Sequence, residues 1–125
     1  MKNTNEKQDE ISDAEKDLGY IFKNKSLLQE AELQAGNKKI AFFGDAVLDF
    51  VVSEYLYYNY TELEQGDLTN LKSLLVCDEK LERILKKNKW DEYLIVEKGI
   101  LEKSKKMNST FLEAIVGAIY LDGGI

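Results

Sequence analysis

An all-α domain is the fold class this sequence predicts, and three observations carry the prediction. The 125 residues contain no proline, the residue that most reliably interrupts a helix, while Leu, Lys, Glu and Ala are abundant. Glycine, asparagine, serine and aspartate fall at intervals that divide the chain into helix-length pieces. One piece, residues 37 to 60, runs for roughly 36 Å at 1.5 Å per residue without a proline or a turn cluster. The length suits one domain with a single real core.

Residues 1–10 are polar and expected to be disordered, leaving 11–125 for the domain. A short helix is expected from Ile11 to Leu18, stopped by Gly19. Ser26 is the candidate cap of a second helix, "LLQEAELQA", which ends before Gly36. After the long helix, Asp67 or Thr69 opens "LTNLKSLLV". Asp78 then caps "EKLERILKK", where Glu79–Arg83 and Glu82–Lys86 pair at i,i+4. The following stretch is irregular, with one strand-like piece at Leu94–Val96. Ser109 or Thr110 caps the last helix, "FLEAIVGAIYLD", closed by Gly123 and Gly124. No repeat or low-complexity segment interrupts this order.

The helix over 37–60 is apolar nearly all round, so one core-facing stripe cannot absorb it. Burial on two sides, by the bundle and by a second subunit, accommodates it. Within it Asp45 stands beside Gly44, and on the last helix Glu113 stands alone among Phe111, Leu112, Ile115 and Val116. An unpaired carboxylate in an apolar interior costs several kcal/mol, so each must be protonated, bonded, paired or bound to a metal. A glycine inside a helix costs roughly 1 kcal/mol, which close backbone approach offsets. Helices meeting at Gly44 and Ala46, and at Ala114, Gly117 and Ala118, would bring Asp45 and Glu113 together. Two neighbouring carboxylates suit a hard divalent cation, Mg²⁺ or Mn²⁺. Spacing alone equally allows each acid to cap, to pair with a lysine or to face water, with Asp45 and Asp49 on one polar stripe.

A net charge of −6 argues against general affinity for nucleic acid. The charge is uneven: residues 1–65 hold 13 acids and 7 bases, residues 66–110 hold 8 and 10. Two basic clusters stand out, one from Lys80 to Lys89 and one of Lys103, Lys105 and Lys106. The single cysteine, Cys77, excludes an internal disulfide, and no apolar run reaches membrane-spanning length. With no signal-peptide core at the N-terminus, a cytoplasmic location is expected, with no membrane partner.

Three segments carry a resemblance. "FFGDAVLDFVVSEYLYYNY", then "EQGDLTNLKSLLV", then "FLEAIVGAIYLDGG" resemble the nuclease domain of the ribonuclease III family in order and spacing, from about Leu18 to Gly124. The resemblance implies an all-helical domain, homodimeric through the signature helix, with Phe42 or Phe43 at the dimer interface. It implies a Mg²⁺-dependent endoribonuclease cutting double-stranded RNA to 5′-phosphate and 3′-hydroxyl ends, with Asp45 and Glu113 as catalytic metal carboxylates. No small-molecule cofactor is implied. Lys103, Lys105 and Lys106, in a loop before the Glu113 helix, and Lys72 and Gln65 are the implied RNA contacts.

The chain departs from the family at four positions. Acids usually stand where it has Lys38, Ala41, Gln65 and Thr110, all at or near the metal, so the metal itself would have two protein carboxylates in place of four. Helical geometry puts Lys38, Ala41 and Asp45 on one face, and Thr110 with Glu113 on another. Thr110 is therefore expected to orient a water behind the carboxylates. At these positions the chain resembles the compact Mini-ribonuclease III branch, with alanine four before the signature aspartate and "ST" shortly before "EA". That branch works without a separate double-stranded-RNA-binding domain and trims ribosomal RNA precursors. The alternative is a catalytically degenerate domain kept as a dimerising RNA- or ribosome-binding module. A third reading, a helical interaction protein with satisfied acids, involves no nucleic acid.

Overall fold

The computed structural model describes residues 13–124. Helix α1 covers 13–18, followed by α2 (Lys25–Glu32), α3 (Lys38–Asn59), α4 (Gln65–Leu75), α5 (Asp78–Lys87), a single 3-10 turn at Trp90–Tyr93, and α6 (Lys105–Gly123). Residues 1–10 and the start of the helix expected from Ile11 lie outside the described residues. Among the described residues there is no β-strand. The piece at Leu94–Val96 contributes one parallel bridge, Ile95 to Leu33.

Four helix starts differ from the sequence reading, each for a local reason. At α2 the cap is Asn24, whose side chain accepts from Ser26 N at 3.1 Å, so Ser26 lies inside the helix. The Asp122 carboxylate fixes this entry by accepting from the backbone N–H groups of Lys23 and Asn24, each at 2.8 Å. α4 begins at Gln65, ahead of both Asp67 and Thr69, and Asp67 instead faces the positive end of the helix dipole in the first turn. At α5 the cap position is Cys77, with no side-chain capping bond, and Asp78 is the first helical residue, where its charge faces the positive end of the dipole. α6 begins at Lys105: Ser104 accepts from Met107 N at 3.1 Å, and Ser109 and Thr110 lie within the helix. Asn108 and Ser109 are buried there, so the packed surface of α6 starts a turn earlier than its apolar run. Lys105 and Lys106 therefore belong to the first turn of α6 and not to a loop.

α6 is the central element, packed on α3, α5 and α2. One side of the core joins Phe22, Leu28, Ala31, Ile40 and Ala41 to Ala114 and Ala118. The other joins Leu81, Leu85 and Leu94 to Phe111, Leu112 and Ile115. Each fully buried Leu or Phe of these clusters contributes about 1.5–3 kcal/mol relative to exposure. α3 and α6 cross at glycines. A Cβ on Gly44 would lie 1.7 Å from Glu113 O, and one on Gly117 would lie 2.5 Å from Ile40 O. α3 buries only Ile40, Ala41, Gly44 and Leu56, and leaves Phe42, Phe50, Val51, Tyr55, Tyr57 and Tyr58 exposed.

Candidate active site

The glycine crossing sets the position of the two acids. Because no side chain separates the backbones at Gly44 and Gly117, the next residue on α3, Asp45, comes beside Glu113 on α6. Both line an open cavity of about 390 Å³ with Lys38, Ala41, Phe42, Lys106 and Thr110. Burial, then a hydrogen bond with Asp45 and the Asp45 charge, push the Glu113 carboxyl up to about 8; Lys106 opposes this and Asp78 adds to it. Burial and the neighbouring Asp45 thus favour the protonated form of Glu113.

Lys38, Ala41, Asp45, Thr110 and Glu113 thus share one cavity. Lys106 joins them, held at 3.7 Å from the Asp78 carboxylate at the start of α5. Asp78 and Phe42 were not legible as parts of this site. Asp78 reads as a cap in the sequence, and only packing of α5 on α6 brings it near. Gln65 and Lys72 line a different cavity, of about 340 Å³, with Ser53, Leu56, Tyr57, Leu68 and Thr69. Lys103 is tied down instead, its Nζ donating to Asp91 O at 2.5 Å. Lys105 is exposed, Phe42 is 82% exposed, and Phe43 is half-buried with its ring 5.5 Å from that of Tyr120.

The donor set tests the expected metal. An exposed Asp45 and a half-buried Glu113 share the cleft, with the Thr110 hydroxyl a turn away from Glu113. Such oxygens suit Mg²⁺ or Mn²⁺, which bind through one or two carboxylates when substrate phosphate supplies further oxygens. No group of three or more His, Cys, Asp or Glu suited to a metal occurs among the described residues. The site therefore fits a weakly held cation, not a closed cage.

The two longest helices of this all-helical domain thus cross at glycines and place a carboxylate pair in an open cleft. In comparison with known proteins, residues 38–124 match the model of the ribonuclease III domain, and the chain belongs to that family. It is 33% identical over 127 residues to the Ribonuclease 3 of Campylobacter fetus subsp. fetus, covering 94% of this chain and 57% of that protein. To the Ribonuclease 3 of Limosilactobacillus fermentum it is 36% identical over 125 residues, covering 87% and 54%. The chain thus spans a little over half the length of these relatives. The fold is similar to the nuclease domain of the Campylobacter jejuni ribonuclease III, with a TM-score of 0.84, 32% identity, and coverage of 91% of this chain and 87% of that one. That domain has been described for structural flexibility in a region involved in dimer formation. No described helix is long and apolar enough to cross a membrane.

Proposed function

We propose that this domain is a Mg²⁺-dependent, homodimeric endoribonuclease that cuts double-stranded RNA in the cytoplasm, with Asp45 and Glu113 as its metal carboxylates. The observation that carries the reading is the convergence of Asp45, Thr110 and Glu113 on one open cleft. Asp45 and Glu113 would hold the cation, whose chemistry when bound is polarisation of a phosphodiester and acidification of water. The raised Glu113 carboxyl lets the pair exchange a proton for a cation as the site is loaded. Thr110 orients water behind the carboxylates. Lys72 and Gln65, on α4, and Lys105 and Lys106 contact phosphates and 2′-hydroxyls, the features by which A-form duplexes are read. Lys103 reaches RNA only by leaving the Asp91 carbonyl. The acidic remainder of the surface makes affinity modest and salt-sensitive.

Structured precursors such as those of ribosomal RNA supply duplexes of the required kind. The test is cleavage of a long RNA duplex with Mg²⁺ or Mn²⁺, comparing the parent with Asp45→Asn and Glu113→Gln. The parent yields 5′-phosphate ends and both variants lose cleavage. A parent that binds duplex in either cation without cutting it would make this a dimerising RNA-binding module, in keeping with Lys38, Ala41, Gln65 and Thr110 standing where acids are usual.

A further inference from the structure

The cleft that holds the carboxylate pair also holds two cations that catalysis by a cation alone does not require. Lys38 is the first residue of α3 and Lys106 the second residue of α6. Both line the cavity with Asp45 and Glu113, so two lysines face the carboxylate pair within it. Neither lysine is stabilised by its own helix. The first turns of α3 and α6 contain no acidic residue, and a cation at a helix N-terminus opposes the dipole. Lys38 forms no ion pair among the described residues. Lys106 faces Glu113 across the cleft, and its one ion pair among the described residues is with Asp78, at 3.7 Å between side chains 74% and 45% exposed, a pairing worth little against solvent. Two lysines placed against their helix dipoles, beside acids, in an open cleft, are arranged for an anion that arrives from outside.

Resting on the reading of this cleft as a nuclease site, we infer that Lys38 and Lys106 bind the scissile phosphodiester of duplex RNA beside Asp45 and Glu113. In this arrangement protein ammonium groups supply positive charge that two-metal sites take from a second cation. A single weakly held divalent ion would then suffice, with Asp45 and Glu113 to hold it and the two lysines to hold the phosphate. The lysine at position 38 is in this sense the counterpart of Ala41 and Thr110. Where carboxylates are few, the demand for metal charge falls, and an ammonium on the same face compensates the substrate directly.

The test is binding of a short RNA duplex to the full chain in EDTA across a range of salt concentrations, where no cleavage occurs. Lys38→Ala and Lys106→Ala should each weaken binding and lower the slope of log affinity against log salt by about 0.9, the value for one lost phosphate contact. Lys38→Arg should retain the slope, and Lys86→Ala, on the outer face of α5, should leave it unchanged. Lys38→Glu should weaken RNA binding while tightening Mg²⁺ alone in a calorimetric titration, by restoring a third carboxylate. Unchanged affinity and slope in both alanine variants would overturn the inference while leaving Mg²⁺-dependent cleavage by the parent intact. A parent that neither binds nor cuts duplex would remove the nuclease reading itself.

Discussion

A single missing Cβ decides whether this site exists. At Gly44 the added atom would meet Glu113 O at 1.7 Å and Gly117 N at 2.8 Å, both backbone, so no side-chain rotation relieves the clash. Gly44→Ala should cost about 3 kcal/mol or more, near the upper end for overpacking, and lower the melting temperature by roughly 10 °C. Gly66→Ala, with nothing within 4 Å inside α4, should be neutral or stabilising. Equal melting of the two variants would show that the helices do not approach as described. Glu113 supplies a second expectation. Its carboxyl rises from an ordinary 4.5 to about 8 because burial and Asp45 favour the protonated form. The folded protein therefore binds more protons than the unfolded chain between those values, so its stability in EDTA falls as pH rises through that window. Glu113→Gln should flatten the fall, and Mg²⁺ at pH 8 should raise the melting temperature of the parent but not of Glu113→Gln. At this scale the sequence was informative: glycines inside apolar helices mark close approach, and acids beside them mark what meets there. The Lys106–Asp78 pair was hidden, since only tertiary packing joins those elements.

Among elements, the middles were legible and the starts were not. α3 at Lys38–Asn59 lies within a residue of the expected 37–60, since its apolar run is long and its ends are plainly polar. The starts of α2 and α6 moved because more than one residue near each can cap, whereas α4 and α5 start after Glu64 and Cys77 with no side-chain cap at all. In "EKSKKMNST" both Ser104 and Ser109 qualify, and burial of Asn108 and Ser109 decides for the earlier. The shift matters for function, because it places Lys106 on a rigid turn in the cleft. Ser104→Ala should cost about 1 kcal/mol of stability by removing the bond to Met107 N. It should also loosen Lys106 and weaken duplex binding, whereas Ser109→Ala, whose hydroxyl only bonds back to Lys106 O, should leave the start of α6 in place. Amide exchange at Met107 distinguishes these, since a lost cap exposes that proton and an intact one protects it.

For the whole molecule, the unexplained quantity is apolar surface. Val47 and Tyr120 line two adjacent shallow cavities, with Phe43, Ala46 and Phe50 in one and Val51, Val116 and Ile119 in the other. Phe50 is 56% and Val51 41% exposed, on a helix whose opposite face is already buried against α6. A continuous apolar face of this kind is costly to leave in water, and a second copy meeting it about a two-fold axis covers it with one self-complementary surface. The all-round apolar character of residues 37–60 made this legible in the sequence, whereas the division between bundle-facing and outward-facing residues required the fold. Phe42 departs from the rest: it is 82% exposed yet borders the carboxylate cleft, so a partner covering it would also help wall the site. Sedimentation should therefore give a particle of twice the 14.3 kDa chain mass. Phe50→Asp, which puts a charge in the face while leaving the core untouched, should reduce it to a monomer. If cleavage is lost with the dimer while the melting temperature of the isolated subunit stays measurable, the cleft depends on its partner. If monomeric Phe50→Asp still cuts duplex, each subunit carries a complete site and the dimer serves only to cut both strands.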